Sequence, residues 1–202
     1  MKNLEGLKWT GDLSLQDADI LASYASRSKS ILEFGCGGST QILAQLCSNV
    51  VSVETSPEWI QVVTKRLSNI DTAHDVKFTS YGNIPTRRYD MVFVDGVKER
   101  RLSFATQAWQ YLAEGGVMIF HDTKKQWGIE LLKQVFCNFF NEIGIVHINK
   151  LASDGKQSNM TVIQKRIQQP YVCWHDVEGK PLWAYGSDMN VFNVWEYKPL
   201  IP

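Results

Sequence analysis

The sequence predicts an α/β protein, a doubly wound and mostly parallel seven-stranded sheet with a C-terminal antiparallel hairpin. Three observations predict it. Short β-branched runs alternate with stretches of helical periodicity over roughly residues 14 to 165. A glycine cluster, Gly35, Gly37 and Gly38, follows the first apolar run directly. The later apolar runs end in polar or acidic residues, as strands do where a parallel sheet opens to its ligand.

The elements follow in order. Ile20, Leu21 and Tyr24 repeat at helical spacing ahead of the run Ile31 to Phe34, which becomes the first strand. Ile42, Leu43 and Leu46 stripe the next helix, and Val50 to Val53 form a buried second strand closed by Glu54. Ser56 suits the N-cap and Pro57 the first turn of a third helix, with Ile60, Val63 and Leu67 inward. Val76 to Thr79 is a third strand, and Tyr89 to Val94 a fourth, stopped by Asp95 and Gly96. Phe104, Ala108, Tyr111 and Leu112 follow at helical spacing. Gly115 and Gly116 punctuate the chain before a fifth strand, Val117 to Phe120, that ends at His121, Asp122 and Thr123. Leu131, Leu132, Val135, Phe136 and Phe139 mark one more helix, and strands near 143–151 and 159–164 pair across a Ser-Asp-Gly turn.

Composition narrows the classes. The 202 residues are 44% hydrophobic and 21% charged, enough for one globular core. Lys plus Arg equals Asp plus Glu at 21 each, so no overall positive field draws the chain to nucleic acid or to an anionic membrane. The N-terminal stretch carries acids and lacks a long apolar core, and Cys36, Cys47, Cys137 and Cys173 show no paired spacing. A cytoplasmic protein with reduced thiols is expected. Residues 1–166 read as one domain and 167–202 as an extension rich in Trp174, Trp183, Tyr185, Phe192, Trp195 and Tyr197. Such aromatics pack on the domain itself, cap a substrate, or join two copies into a homo-oligomer.

The glycine loop leads into a helix N-terminus, where backbone amides and the dipole favour an anionic group. Thr40 stands where a dinucleotide-binding loop would have its third glycine. The segment 31–40 instead resembles the first motif of class I S-adenosylmethionine-dependent methyltransferases, with Ser39 in place of a frequent third glycine. Segments 50–59, 89–96 and 112–123 extend the resemblance, the last two most like small O-methyltransferases. It implies a Rossmann-like methyltransferase fold, S-adenosylmethionine as cofactor, and a small-molecule substrate.

By that resemblance Glu33 orients the methionine ammonium, and the loop Gly35, Cys36, Gly37, Gly38, Ser39 and Thr40 passes close to the cofactor. Glu54 accepts the ribose hydroxyls, with Thr55 beside it, and Asn83, with Ser80 and Tyr81, is placed near the base. Asp95 closes the fourth strand at the cofactor edge. In metal-dependent O-methyltransferases the acid in its place and an Asp-Asn pair after the fifth strand hold Mg²⁺, while a lysine three positions on is the base. Asp95, Asp122 and Lys98 match those places, but Thr123 stands where the family has Asn. Without metal, Asp122 caps the following helix and Lys98 is solvated, and His121 is either an alternative general base or a packed polar group. Cys36 is a space-filling residue rather than a nucleophile. Lys98, Arg100, Arg101, Lys124 and Lys125 all follow the fourth and fifth strands, so either an anionic substrate group is expected there or both clusters begin solvated helices and point away. The acceptor is a hydroxyl; an amine acceptor, or a non-catalytic cofactor-binding module, are the alternatives.

Overall fold

In the computed structural model, which describes residue 11 and residues 13–167, the chain runs α1 (Leu15–Ala25), β1 (Ile31–Phe34), α2 (Gly38–Leu46), β2 (Val50–Val53), α3 (Pro57–Leu67) and β3 (Val76–Thr79). It continues through β4 (Tyr89–Val94), α4 (Arg101–Trp109), β5 (Leu112–Phe120), α5 (Gln126–Phe139), β6 (Ile143–His147) and β7 (Thr161–Lys165). The strands form one sheet in the order β3-β2-β1-β4-β5-β7-β6. β3 to β5 across that order are parallel, and β7 runs antiparallel to both of its neighbours.

Alternation along the central strands explains the layers. Ile31, Met91 and Phe93 face α1 and α2, meeting Ile20, Leu21, Ile42 and Leu43. Leu32, Phe34, Val92 and Val94 face the other way, onto Phe104, Ala108 and Leu131 of α4 and α5. Strands covered on both faces are mostly apolar, and β1 and β2 are buried at every position, Glu33 and Ser52 included. Glu33 is thus a carboxyl on the α2 side of a closed layer.

Caps set the helix starts. Ser14 Oγ accepts from Asp17 N at 3.1 Å and Asp17 Oδ2 accepts from Ser14 N at 3.2 Å, a capping box that opens α1. Ser56 caps α3 through Trp59 N, with Pro57 in the first turn as expected.

Several boundaries differ from the sequence reading: α4 ends at Trp109, short of Tyr111 and Leu112, and the last strand is Thr161–Lys165 rather than 159–164. β5 starts at Leu112 rather than Val117, because Gly115, at φ +72°, lets the strand absorb a register shift against β4 and continue. β6 ends at His147, and Leu151 makes only an isolated bridge to Gln157. The aromatic extension expected from residue 167 lies outside the described residues, apart from Ile167. Among the described residues no helix is long and apolar enough to cross a membrane.

β1 pairs with β2 on one side and β4 on the other, so the chain reverses its direction of travel across the sheet at β1/β4. A crevice opens there at the carboxyl ends of parallel strands, where this kind of sheet binds ligands.

Candidate functional site

The loop after β1 is built by two close approaches. Gly35 has φ +89°, and a Cβ on it would lie 2.7 Å from Gly96 Cα, so the loops after β1 and β4 touch through bare backbone. Asp95 N donates to Phe34 O and Gly35 N to Val53 O, each at 3.0 Å, which ties the loop to both neighbouring strands. Gly37 differs. A Cβ there would meet nothing within 4 Å, so its bareness opens onto free space rather than onto protein.

Beneath this loop Glu33 is fully buried. It accepts hydrogen bonds from Ser39 Oγ (2.5 Å), Thr40 Oγ1 (2.8 Å) and Ser52 Oγ (2.6 Å). Burial pushes its carboxyl up to about 7, the three hydroxyls oppose the rise, and the charge of Asp95 adds to it. The carboxyl therefore latches β1 to the first turn of α2 and to β2. Its full burial and the three hydroxyls already on it favour an indirect part for Glu33, through the loop.

The group implied by the resemblance can be tested against what this loop offers. The nine-residue α2 begins at Gly38 without a side-chain cap, and its first turn holds no acid, leaving its N-terminal end free to meet a carboxylate. Glu54, just past β2, takes Thr55 N (2.7 Å) and Ser56 N (3.0 Å) on Oε1. Among the described residues the Cys36 thiol, at 3.8 Å, approaches Oε2, which remains a suitable acceptor for a ribose hydroxyl. Trp59 Nε1 donates to Cys36 O at 2.7 Å and holds α3 beside the loop. Free space over Gly37, the uncapped helix and the carboxylate of Glu54 suit an amino-acid nucleoside such as S-adenosylmethionine.

Cys36 is buried, and burial with the charges of Glu33 and Glu54 pushes its thiol far up, which suits a space-filling residue. Thr55 is exposed, and its backbone is engaged with Glu54. Asn83 is exposed and donates to Ser80 Oγ at 2.8 Å, while Tyr81 packs against the rings of Phe34 and Phe104 instead of standing free.

On the β4/β5 side, a polar cleft of about 410 Å³ is lined by Asp95, Arg101, His121, Asp122, Lys125 and Asn159. Asp95, His121 and Asp122 bring ligand-type atoms within 4.8 Å of one another. Arg101 also reaches this group. Its Nη2 donates to Asp95 Oδ1 at 2.9 Å and is 3.6 Å from Asp122 Oδ2. Asp122, at φ 63°, accepts from Asn159 Nδ2 (3.0 Å) and pairs with Lys125 Nζ (2.8 Å) through Oδ1. Despite the opposing effect of burial, Lys125, His121 and Arg101 hold its carboxyl below the usual range.

This arrangement does not suit Mg²⁺, a hard cation that needs several oxygens at about 2.1 Å. The facing carboxylates already carry a guanidinium, an ammonium and an imidazole. Thr123 turns its hydroxyl to Asn149 Oδ1 (3.0 Å) and is no ligand, and Asp122 does not cap α5, whose N-cap is Lys125.

His121 is 3% exposed. Its Nδ1 is 3.0 Å from Asp95 Oδ1, and its Nε2 is 3.5 Å from Asp17 Oδ2, an ion-pair distance without hydrogen-bond geometry. Burial alone would lower its pKa, but the carboxylates of Asp17, Asp95 and Asp122 outweigh it and raise the imidazole to about 9. At neutral pH it is a cation with both nitrogens facing carboxylates, which speaks against the general-base role and for the packed polar one. Asp17, despite burial, is held at about 2 by His121, Ser14 and Asn159.

Three participants escaped the sequence reading: Asp17, Asn159 and the inward course of Arg101. Asp17 carried only a helix-start signal, and its bond from Asn159 N (2.6 Å) spans most of the chain. Arg101 stood in a charge run that pointed to substrate, yet it is 6% exposed and stacked 4.8 Å from the Trp127 ring centroid. Lys98, Arg100, Lys124 and Lys125 are exposed.

Residues 32–123 match the model of a methyltransferase domain family. No curated protein sequence matches the chain. Among solved structures, the O-methyltransferase TomG from Streptomyces achromogenes, involved in tomaymycin synthesis and in complex with SAM, superposes with a TM-score of 0.59 at 17% identity, covering 78% of this chain and 83% of that one. An O-methyltransferase from Bacillus cereus in complex with SAH gives 0.60 at 17% identity, covering 76% and 83%. The N-methyltransferase NodS from Bradyrhizobium japonicum gives 0.52 at 14% identity, covering 74% and 94%. At these identities the likeness is one of fold.

Proposed function

We propose that this chain is a class I S-adenosylmethionine-dependent methyltransferase and that it transfers the methyl group to a hydroxyl of a small molecule bearing an anionic group. The observation that carries the reading is Asp95. It closes β4 at the crevice, its Oδ1 holds Arg101 and His121, and Oδ2 carries none of these contacts while the residue lines the polar cleft. A carboxylate fixed by one oxygen and free at the other can accept a hydroxyl proton.

When bound, the cofactor supplies an electrophilic methyl group on a sulfonium. The chain's own residues do the rest. The amides at the start of α2 receive the carboxylate, Glu54 receives the ribose hydroxyls, and the Glu33 latch keeps the loop in shape for both. Lys98, 5.4 Å from the Trp127 ring centroid, stands within reach of the same edge as a second proton acceptor or an anion partner. Lys98, Arg100, Lys124 and Lys125 give that rim a positive excess that favours a carboxylate or phosphate on the substrate. Two of the neighbouring folds carry O-methyltransferase names, which supports an oxygen acceptor.

Label transfer from the methyl-labelled cofactor to a panel of hydroxyl, amine and carboxylate acceptors, each with and without an anionic substituent, tests the reading. Labelled ethers, formed faster from anionic hydroxyl compounds, are expected. Asp95→Asn should lower kcat by about 100-fold, the usual scale for a lost general base. Label on amines alone would replace the hydroxyl reading with N-methylation, and cofactor binding without transfer to any acceptor would favour a non-catalytic module.

A further inference from the structure

We propose that the Arg101 guanidinium is the resident cation of the Asp95–Asp122 pair, standing where a divalent metal would bind and keeping metal out of the cleft. The inference rests on the cluster's geometry and is independent of which acceptor is methylated.

The carboxylates are occupied by nitrogen donors. Asp95 Oδ1 takes Arg101 Nη2 at 2.9 Å and His121 Nδ1 at 3.0 Å. Asp122 Oδ1 takes Lys125 Nζ at 2.8 Å and Asn159 Nδ2 at 3.0 Å, and its Oδ2 faces Arg101 Nη2 at 3.6 Å. Two carboxylates thus face two permanent cations, so the pair is neutralised with no added ion.

Arg101 is also held so that it cannot yield the place easily. Nε donates to Gly96 O (2.9 Å), Nη1 to His121 O (2.9 Å) and Nη2 to Asp95 O (3.1 Å). These are the carbonyls of the two loops that carry the acids. The guanidinium plane rests against Trp127, which Lys98 and Lys125 also flank. A metal entering between Asp95 and Asp122 would either expel Arg101 and strip three carbonyls of their donor, or be buried as a second cation beside it; both are costly at a site with a 6% exposed arginine. Arg101 is therefore a positioning residue: it sets the spacing of the two acids that a metal sets elsewhere. A lysine could not do the same, since only a planar guanidinium reaches carbonyls and carboxylate in several directions at once.

The test is Mn²⁺ binding to the full chain, read by the electron paramagnetic resonance of the free ion, with melting temperature as a second readout. Wild-type protein is expected to leave the free Mn²⁺ signal unchanged up to about 1 mM, the weak end of oxygen-site affinities. Its melting temperature is expected to be the same in chelator, Mg²⁺ and Mn²⁺. Arg101→Ala, shown folded by circular dichroism, should take up one Mn²⁺ and melt higher when it is present, and adding Asp122→Asn should abolish that uptake. Arg101→Met, which keeps the stack on Trp127 without charge or donors, serves the same purpose should the alanine variant not fold. Submillimolar Mn²⁺ uptake by wild-type protein that disappears in Asp122→Asn would overturn the proposal. So would a folded Arg101→Ala or Arg101→Met variant that takes up no metal.

Discussion

At the scale of single residues, Glu33 is a motif acid whose carboxyl is held inside the fold by Ser39, Thr40 and Ser52. Its folded pKa of about 7 lies above the ordinary 4.5, so the folded state binds the extra proton between those values. The contribution is fully present below pH 4.5 and is lost as pH rises through 7. Wild-type protein should therefore lose stability relative to Glu33→Gln over that window, by up to about 3 kcal/mol from the size of the shift. Denaturant melts of the two proteins at several pH values check this, and parallel curves would remove the buried acid from the account. His121, raised from 6.5 to about 9, has the same sign: its contribution is present below pH 6.5 and lost as pH rises through 9, so replacing it should flatten that alkaline fall. Glu33, Glu54 and Asp95 were legible because each ends or nearly ends an apolar run. Asp17 and Arg101 were not, because a helix-capping acid and a charge run carry no local sign that they fold inward onto a distant histidine.

At the scale of elements, the loop from β1 into α2 uses glycine for two different purposes, and substitution separates them. Gly35→Ala places a methyl group 2.7 Å from Gly96 Cα at φ +89°, so the β1 and β4 loops must part. A loss of about 2–4 kcal/mol in unfolding free energy is expected. Gly37→Ala meets no protein atom within 4 Å and should melt like wild type, yet lose about tenfold or more in cofactor affinity because the methyl group stands in the cofactor's space. Equal affinity of the two proteins would show that the free space over Gly37 is not where ligand lies. The strand centres were legible from β-branched runs, and the starts of α2 and α3 from glycine and Ser-Pro signals. The start of β5 and the end of β6 were not: Gly115 reads as a stop until sheet pairing shows the strand passing through it, and Leu151, beyond His147, Asn149 and Lys150, makes only an isolated bridge.

At the scale of the whole molecule, a neutral chain gathers its chemistry at one edge. The order β3-β2-β1-β4-β5-β7-β6 places the glycine loop and the Asp95 loop side by side at the point of reversal, with Glu54 on one flank and the Asp95–His121–Asp122 cluster on the other. That topology was legible as a class from the alternation of elements. The balance of the cluster was not, since it depends on α1, α4 and the β6–β7 connection meeting behind β5. The most direct test of the account is a calorimetric titration of the demethylated cofactor into chelator-treated wild-type protein and Glu54→Ala. The account predicts one site per chain in wild type, with affinity unchanged on adding Mg²⁺. Glu54→Ala should bind more weakly by about 1–3 kcal/mol, the scale of lost charge-assisted hydrogen bonds. No binding to wild type, or equal affinity in the two proteins, would contradict it.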